Sequence, residues 1–146
     1  MSITRILINK SDSGFGMSKE AHEMYLKMNN KRYYTHLANF KKLFLKVPPI
    51  DYNTALLKAR GAEQVRQVSI NCVHNLSEID RSSPVLWEIA DILGMDGLND
   101  RFSKLEFVEL NDDVKWKIIT IGGVECVSVS YFNENKVRDA EISKSG

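Results

Sequence analysis

The chain has 146 residues, 43% of them apolar and 27% charged, and a formal net charge of +1. This balance suits one soluble globular domain with a single core, and the absence of any apolar run of about 18 residues excludes a membrane-spanning helix. Two cysteines without a pairing motif (Cys72, Cys126) and three histidines without ligand spacing (His22, His36, His74) point to reduced thiols, no zinc site and no cofactor.

Ile3, Ile6, Leu7 and Ile8 form a short apolar run that reads as a buried strand. It enters a loop, Asn9 to Ser18, containing Gly14, Phe15 and Gly16. Ser18 is suited to cap a helix in which Ala21, Met24, Tyr25 and Met28 share one face, with Asn29-Asn30 as the stop.

Residues 31–66 carry eight basic and two acidic side chains, whereas the remainder carries 12 basic and 17 acidic. The spacing of Leu37, Phe40, Leu43, Phe44 and Val47 predicts an amphipathic helix ended by Pro48-Pro49. A third helical piece is expected over Thr54–Arg60, stopping at Gly61, and alternation at Val68, Ile70 and Cys72 predicts a strand. The basic segment thus reads as a helical insertion on the outside of the domain.

Ser83 as cap, Pro84 at the first helical position and Gly94 at the exit define a further helix, with Val85, Leu86, Ile89, Ala90 and Leu93 facing inward. Leu105–Leu110 reads as a strand. Val114–Ile121, Gly122-Gly123 and Val124–Tyr131 read as a hairpin. Pairing Ile121 with Val124 puts Val114, Trp116, Ile118, Val127, Val129 and Tyr131 on one face, which is expected to be core. The run from 133 to 146 is poor in large apolar residues and reads as a frayed tail. The expected class is α+β: residues 1–132 as one domain, with a small, mostly antiparallel sheet of three to four strands and helices packed on one face.

These pieces resemble a family of small phage-encoded proteins without a settled function. Its pattern N-x-C-Y-G-G-F-x-L-S is echoed by Asn9, Ser11, Asp12, Ser13, Gly14, Phe15, Gly16, Met17 and Ser18. Its R-x-D-P helix start corresponds to Arg81-Ser82-Ser83-Pro84. Its D-D-V-x-W-x-I…G-x-E hairpin corresponds to Asp112, Asp113, Val114, Trp116, Ile118, Gly123 and Glu125. The Cys-Tyr pair is replaced by Ser11-Asp12, so a thiol is missing from the loop. The resemblance implies a phage origin and action in the host cytoplasm, in keeping with a start, Met1 to Arg5, that lacks a signal-peptide core.

A strand turning through glycines into a helix start offers backbone N–H groups to an anion. On that ground Asn9, Ser11, Gly14, Phe15, Gly16 and Ser18, joined by the guanidinium of Arg81, form the candidate ligand site, although Arg81 could instead pair with Asp80 or Asp12. Neither phosphate-loop consensus is present. The expected function is sequestration of a phosphate-bearing small molecule, such as a nucleotide immune signal. The first alternative is a protein–protein effector docking on a host protein through Arg32, Tyr33, Tyr34, Lys41 and Lys42, with nucleic acid open but not favoured and a homo-oligomer also open. The second alternative is an enzyme on nucleotides or sugar phosphates using Asp12, Asp112 or Glu125, for which no spacing speaks.

Overall fold

A computed structural model describes residues 3–131; the segment read as a tail lies outside the described residues. The fold is α+β. Strand β1 (Ile3–Asn9) pairs antiparallel with β4 (Leu105–Asn111), from Ile3 opposite Asn111 to Asn9 opposite Leu105. Ile6, Leu7, Ile8 and Asn9 are all buried, which is why the strand reads as a continuous apolar run rather than an alternating one.

Helix α4 (Pro84–Leu98) packs against this pair, and helix α1 (Lys19–Met28) packs against α4. The Ser18 hydroxyl accepts from the Ala21 N–H at 3.1 Å and donates to the Gly97 carbonyl at 2.7 Å, so one residue starts α1 and ties it to the end of α4. Ser83 caps α4, with Pro84 in the first turn as expected. Gly94 takes a left-handed φ of 76°, but the chain resumes its helical course to Leu98, so the glycine kinks α4 rather than ending it. The core joins Leu7, Met17, Tyr25, Leu86, Ile89 and Leu98.

The predicted helix over 37–47 is instead a hairpin, β2 (Tyr34–Ala38) and β3 (Lys41–Leu45), with Leu37 opposite Lys42 and Tyr34 opposite Leu45. Asn39 and Phe40 both adopt left-handed conformations, φ 50° and 64°, the requirement of a tight two-residue hairpin turn. The 3.6-residue pattern misled because only Phe44 and Leu45, two neighbours in sequence, are buried, while Phe40 is 100% exposed.

Two helices follow, α2 (Pro49–Lys58) and α3 (Gly61–Cys72). α2 starts earlier than expected, at Pro49, and Gly61, at φ 79°, opens α3 instead of merely closing α2. The predicted strand at Val68, Ile70 and Cys72 is the last part of α3. Neither helix buries a residue, and Ile50, Leu57, Val65 and Ile70 are exposed. The excursion closes at its root, where Lys46 N–H donates to the Cys72 carbonyl (2.7 Å) and His74 N–H to that of Phe44 (2.8 Å).

Strands β5 (Val114–Ile121) and β6 (Val124–Tyr131) pair in the expected register, with Ile121 opposite Val124 and Trp116 opposite Val129. Their apolar face is not the core that was expected: Val129 is 49% exposed, and neither Trp116 nor Ile118 joins the core. The same face carries Glu125, and it is at Glu125 that the hairpin is anchored to β1. Antiparallel pairing is therefore shared among three two-stranded ladders.

Ile89→Ala is expected to cost about 2–5 kcal/mol in a denaturant titration. Leu57→Ala, on the uncovered α2, is expected to stay within about 0.5 kcal/mol. Equal costs would show that α2 is packed into the core.

Candidate functional site

Asn9 organises the glycine loop from a fully buried position at the end of β1. Its side-chain oxygen accepts from Ser11 N–H at 3.1 Å and from Lys104 N–H at 2.8 Å, while its amide nitrogen donates to the Gly14 carbonyl and to Ser13 Oγ. The Ser11 and Ser13 hydroxyls each donate to the Phe102 carbonyl at 2.9 Å. The loop side chains of Asn9 and Ser11 are thus spent on holding the loop and the 99–104 segment together.

Gly16 is buried, and a Cβ on it would lie 2.4 Å from Asp100 Oδ2. The other oxygen of that carboxylate accepts from the Phe102 and Ser103 N–H groups at 2.9 and 2.8 Å. The place beside Gly16 where an anion was expected is taken by the protein's own carboxylate, and a second negative charge there would be repelled.

Arg81 is not the open anion fork the sequence suggested. Its guanidinium makes a bidentate pair with Glu125 at 2.8 and 2.9 Å, donates to the Leu7 carbonyl at 2.9 Å and stacks 3.4 Å above the Phe15 ring. Glu125 also accepts from the Asn9 N–H at 2.8 Å. Burial pushes the Glu125 carboxyl up, but the Arg81 and Asn9 hydrogen bonds with the Arg81 charge outweigh it and hold the group below the usual carboxylate range. Neither Asp80 nor Asp12 is the partner: Asp80 Oδ1 accepts from Ser82, and Asp12 packs against Gly123 of the β5–β6 turn. The spacing of the sequence offered no sign that Glu125 faces Arg81. Asp112 accepts from the Thr4 hydroxyl at 2.7 Å, an exposed contact that ties the β4–β5 turn to β1.

The basic residues separate into two kinds. Tyr33 donates to Glu23 at 2.7 Å and packs edge-on to Phe44, its ring centroid 5.5 Å away; burial and the carboxylate push it up to about 12. Tyr34 is half-buried in the hairpin, and Arg32 offers its carbonyl to His74 Nε2 at 2.9 Å. Lys41 and Lys42, by contrast, are exposed at the hairpin tip. Lys19 Nζ lies 5.9 Å from the Phe44 ring. Burial lowers the Lys19 ammonium, with further lowering from Lys41 and Lys42 set against the raising effect of Asp100.

Reasoning from sequence missed a second place, a cleft of about 510 Å³ between α1, the root of the excursion and the 75–83 segment. His22, 3% exposed, lines it, and His22 Nδ1 has no hydrogen-bond partner among the described residues. Burial lowers His22 to about 4, with Lys19 and His74 adding to the effect, so the ring is neutral at physiological pH. A lone histidine in a helical pattern carries no signal of this; the cleft arises from the return of the excursion. Among the described residues no cluster of His, Cys, Asp or Glu could hold a metal ion.

Glu125→Gln is expected to cost about 3–5 kcal/mol, because it leaves the Arg81 charge buried without its partner. The pair's contribution is present above the unfolded carboxylate value and is lost as pH falls through the lower folded value, so Glu125→Gln should flatten the acid limb below about pH 4.3. His22 acts higher on the scale. Its folded value near 4 lies below the unfolded 6.5, so stability should fall between those two pH values as the unfolded chain takes up a proton. Denaturant titrations at several pH values, with His22→Leu as the reference, check this window. No family model matches the chain, and no curated protein or solved structure is similar to it.

Proposed function

We propose that the chain is a binding protein that docks on an acidic partner protein through the tip of the β2–β3 hairpin. The observation that carries this reading is Phe40, 100% exposed at a tight turn, with Leu37 69% exposed beside it. A single exposed apolar side chain is ordinary. Here two are held on one short hairpin, and Lys41 and Lys42 flank them near Lys19.

Burying Phe40 and Leu37 in a partner would contribute about 1.5–3 kcal/mol each. The lysines would draw an acidic rim and hasten encounter, an effect that salt weakens. The resemblance to phage proteins favours a host protein as the partner. Capture of a phosphate-bearing molecule at the glycine loop is less well supported, since Arg81 is committed to Glu125 and Asp100 sits beside Gly16. A reaction on nucleotides at Asp12, Asp112 or Glu125 has no grouped acid and base behind it.

The test is affinity capture from host lysate at low salt, comparing the wild-type chain with Leu37→Ser/Phe40→Ala and with Lys41→Glu/Lys42→Glu. The first variant should lose the retained protein while its thermal unfolding is unchanged. The second should lower retention most at low salt. Retention of the same protein by all three would rule out the hairpin tip.

A further inference from the structure

Four polar or charged groups surround the cleft beneath α1 without internal partners for all of their hydrogen-bonding capacity. The Tyr25 hydroxyl accepts from Asp80 N–H at 3.0 Å, so its own proton remains to be given. Asp80 spends Oδ1 on Ser82 and keeps Oδ2. Lys31 reaches the cleft with no ion pair among the described residues, and His22 brings its buried, unpartnered ring nitrogen. A buried ring nitrogen without a protein partner is one that a guest's hydrogen bond can satisfy.

The charges select the guest. Lys46 and Glu78, which also line the cleft, neutralise one another at 2.9 Å. What remains is one ammonium, on Lys31, and one carboxylate, on Asp80. A phosphate would meet no net positive charge there, and a sugar would leave both charges unanswered. A molecule carrying one carboxylate and one ammonium answers both. Its carboxylate would meet Lys31 and the Tyr25 hydroxyl, its ammonium would meet the Asp80 carboxylate, and the neutral His22 ring would hydrogen-bond a further polar atom of the guest. Leu26 and Ile79 supply an apolar floor for a side chain.

We infer that this cleft is a binding site for a small zwitterion of the free amino-acid class, separate from the hairpin tip. The test is NMR of the isotope-labelled full chain, following the His22 ring resonances while pools of free L-amino acids are added, with glucose and inorganic phosphate titrated in parallel. Saturable shifts of the His22 ring with one or more amino acids, and none with glucose or phosphate, are expected. Lys31→Glu and Asp80→Asn, the second keeping an oxygen for Ser82 while removing the charge, should each weaken that binding at least about tenfold while the thermal melt is unchanged. Leu37→Ser/Phe40→Ala should bind the amino acid as the wild type does, which separates this site from the docking surface. Unmoved His22 resonances with every amino acid, equal shifts with glucose or phosphate, or undiminished binding by both charge variants would overturn the assignment.

Discussion

A mostly buried arginine needs its charge answered and its N–H groups placed, and in this chain the charge and three of the five N–H groups are met at one point. Arg81 reaches Glu125 on β6, the Leu7 carbonyl on β1 and the Phe15 ring in the glycine loop, while it stands itself at the lead-in to α4. Glu125 in turn takes the Asn9 N–H at the end of β1. Residues 7, 9, 15, 81 and 125 are thus drawn together by a single ion pair with side chains 16% and 9% exposed. Among the described residues the β5–β6 hairpin has no strand ladder to another strand pair, and this polar joint anchors it to β1. A hydrophobic contact could have joined the same elements, but it would not have fixed their orientation as a bidentate pair does.

The same joint explains why the loop, the feature of the sequence that looks most like a ligand cradle, is a structural device. Its serines and asparagine are turned toward residues 99–104, and a carboxylate from that segment stands beside the buried glycine. Positions that accept an anion and positions that accept an aspartate have the same local chemistry, and sequence cannot tell whether the anion comes from the chain or from outside it.

Where polar groups are left over, they lie elsewhere. The excursion leaves the domain after α1, extends two helices that bury nothing, and returns through a single bridge between Val73 and Leu45. Its hairpin tip carries the exposed Phe40 and the lysines. Its root forms one wall of the cleft that holds His22 and Lys31. Burial of His22 keeps its ring uncharged, so the cleft offers a neutral donor or acceptor beside its charged groups.

The sequence by itself determined the elements whose signals are local: the buried first strand, the Ser18 and Ser83 caps with Pro84, and the hairpin register across Gly122-Gly123. Each depends on a side chain meeting backbone a few residues away, or on an alternation that a slip would invert. Tertiary structure alone decided three other matters. Residues 34–45 became a hairpin because Phe44 and Leu45 found His22, Tyr33 and Val73 to pack on, and a 3.6-residue spacing of apolar side chains could not reveal those neighbours. Residues 68–72 became the end of α3, and the chain meets the β3 edge only where that helix stops, with Cys72 accepting from Lys46 N–H and Val73 bridging Leu45. Arg81 met Glu125 across 44 positions of chain, a pairing set by how β6 docks on β1 and by no spacing along the sequence.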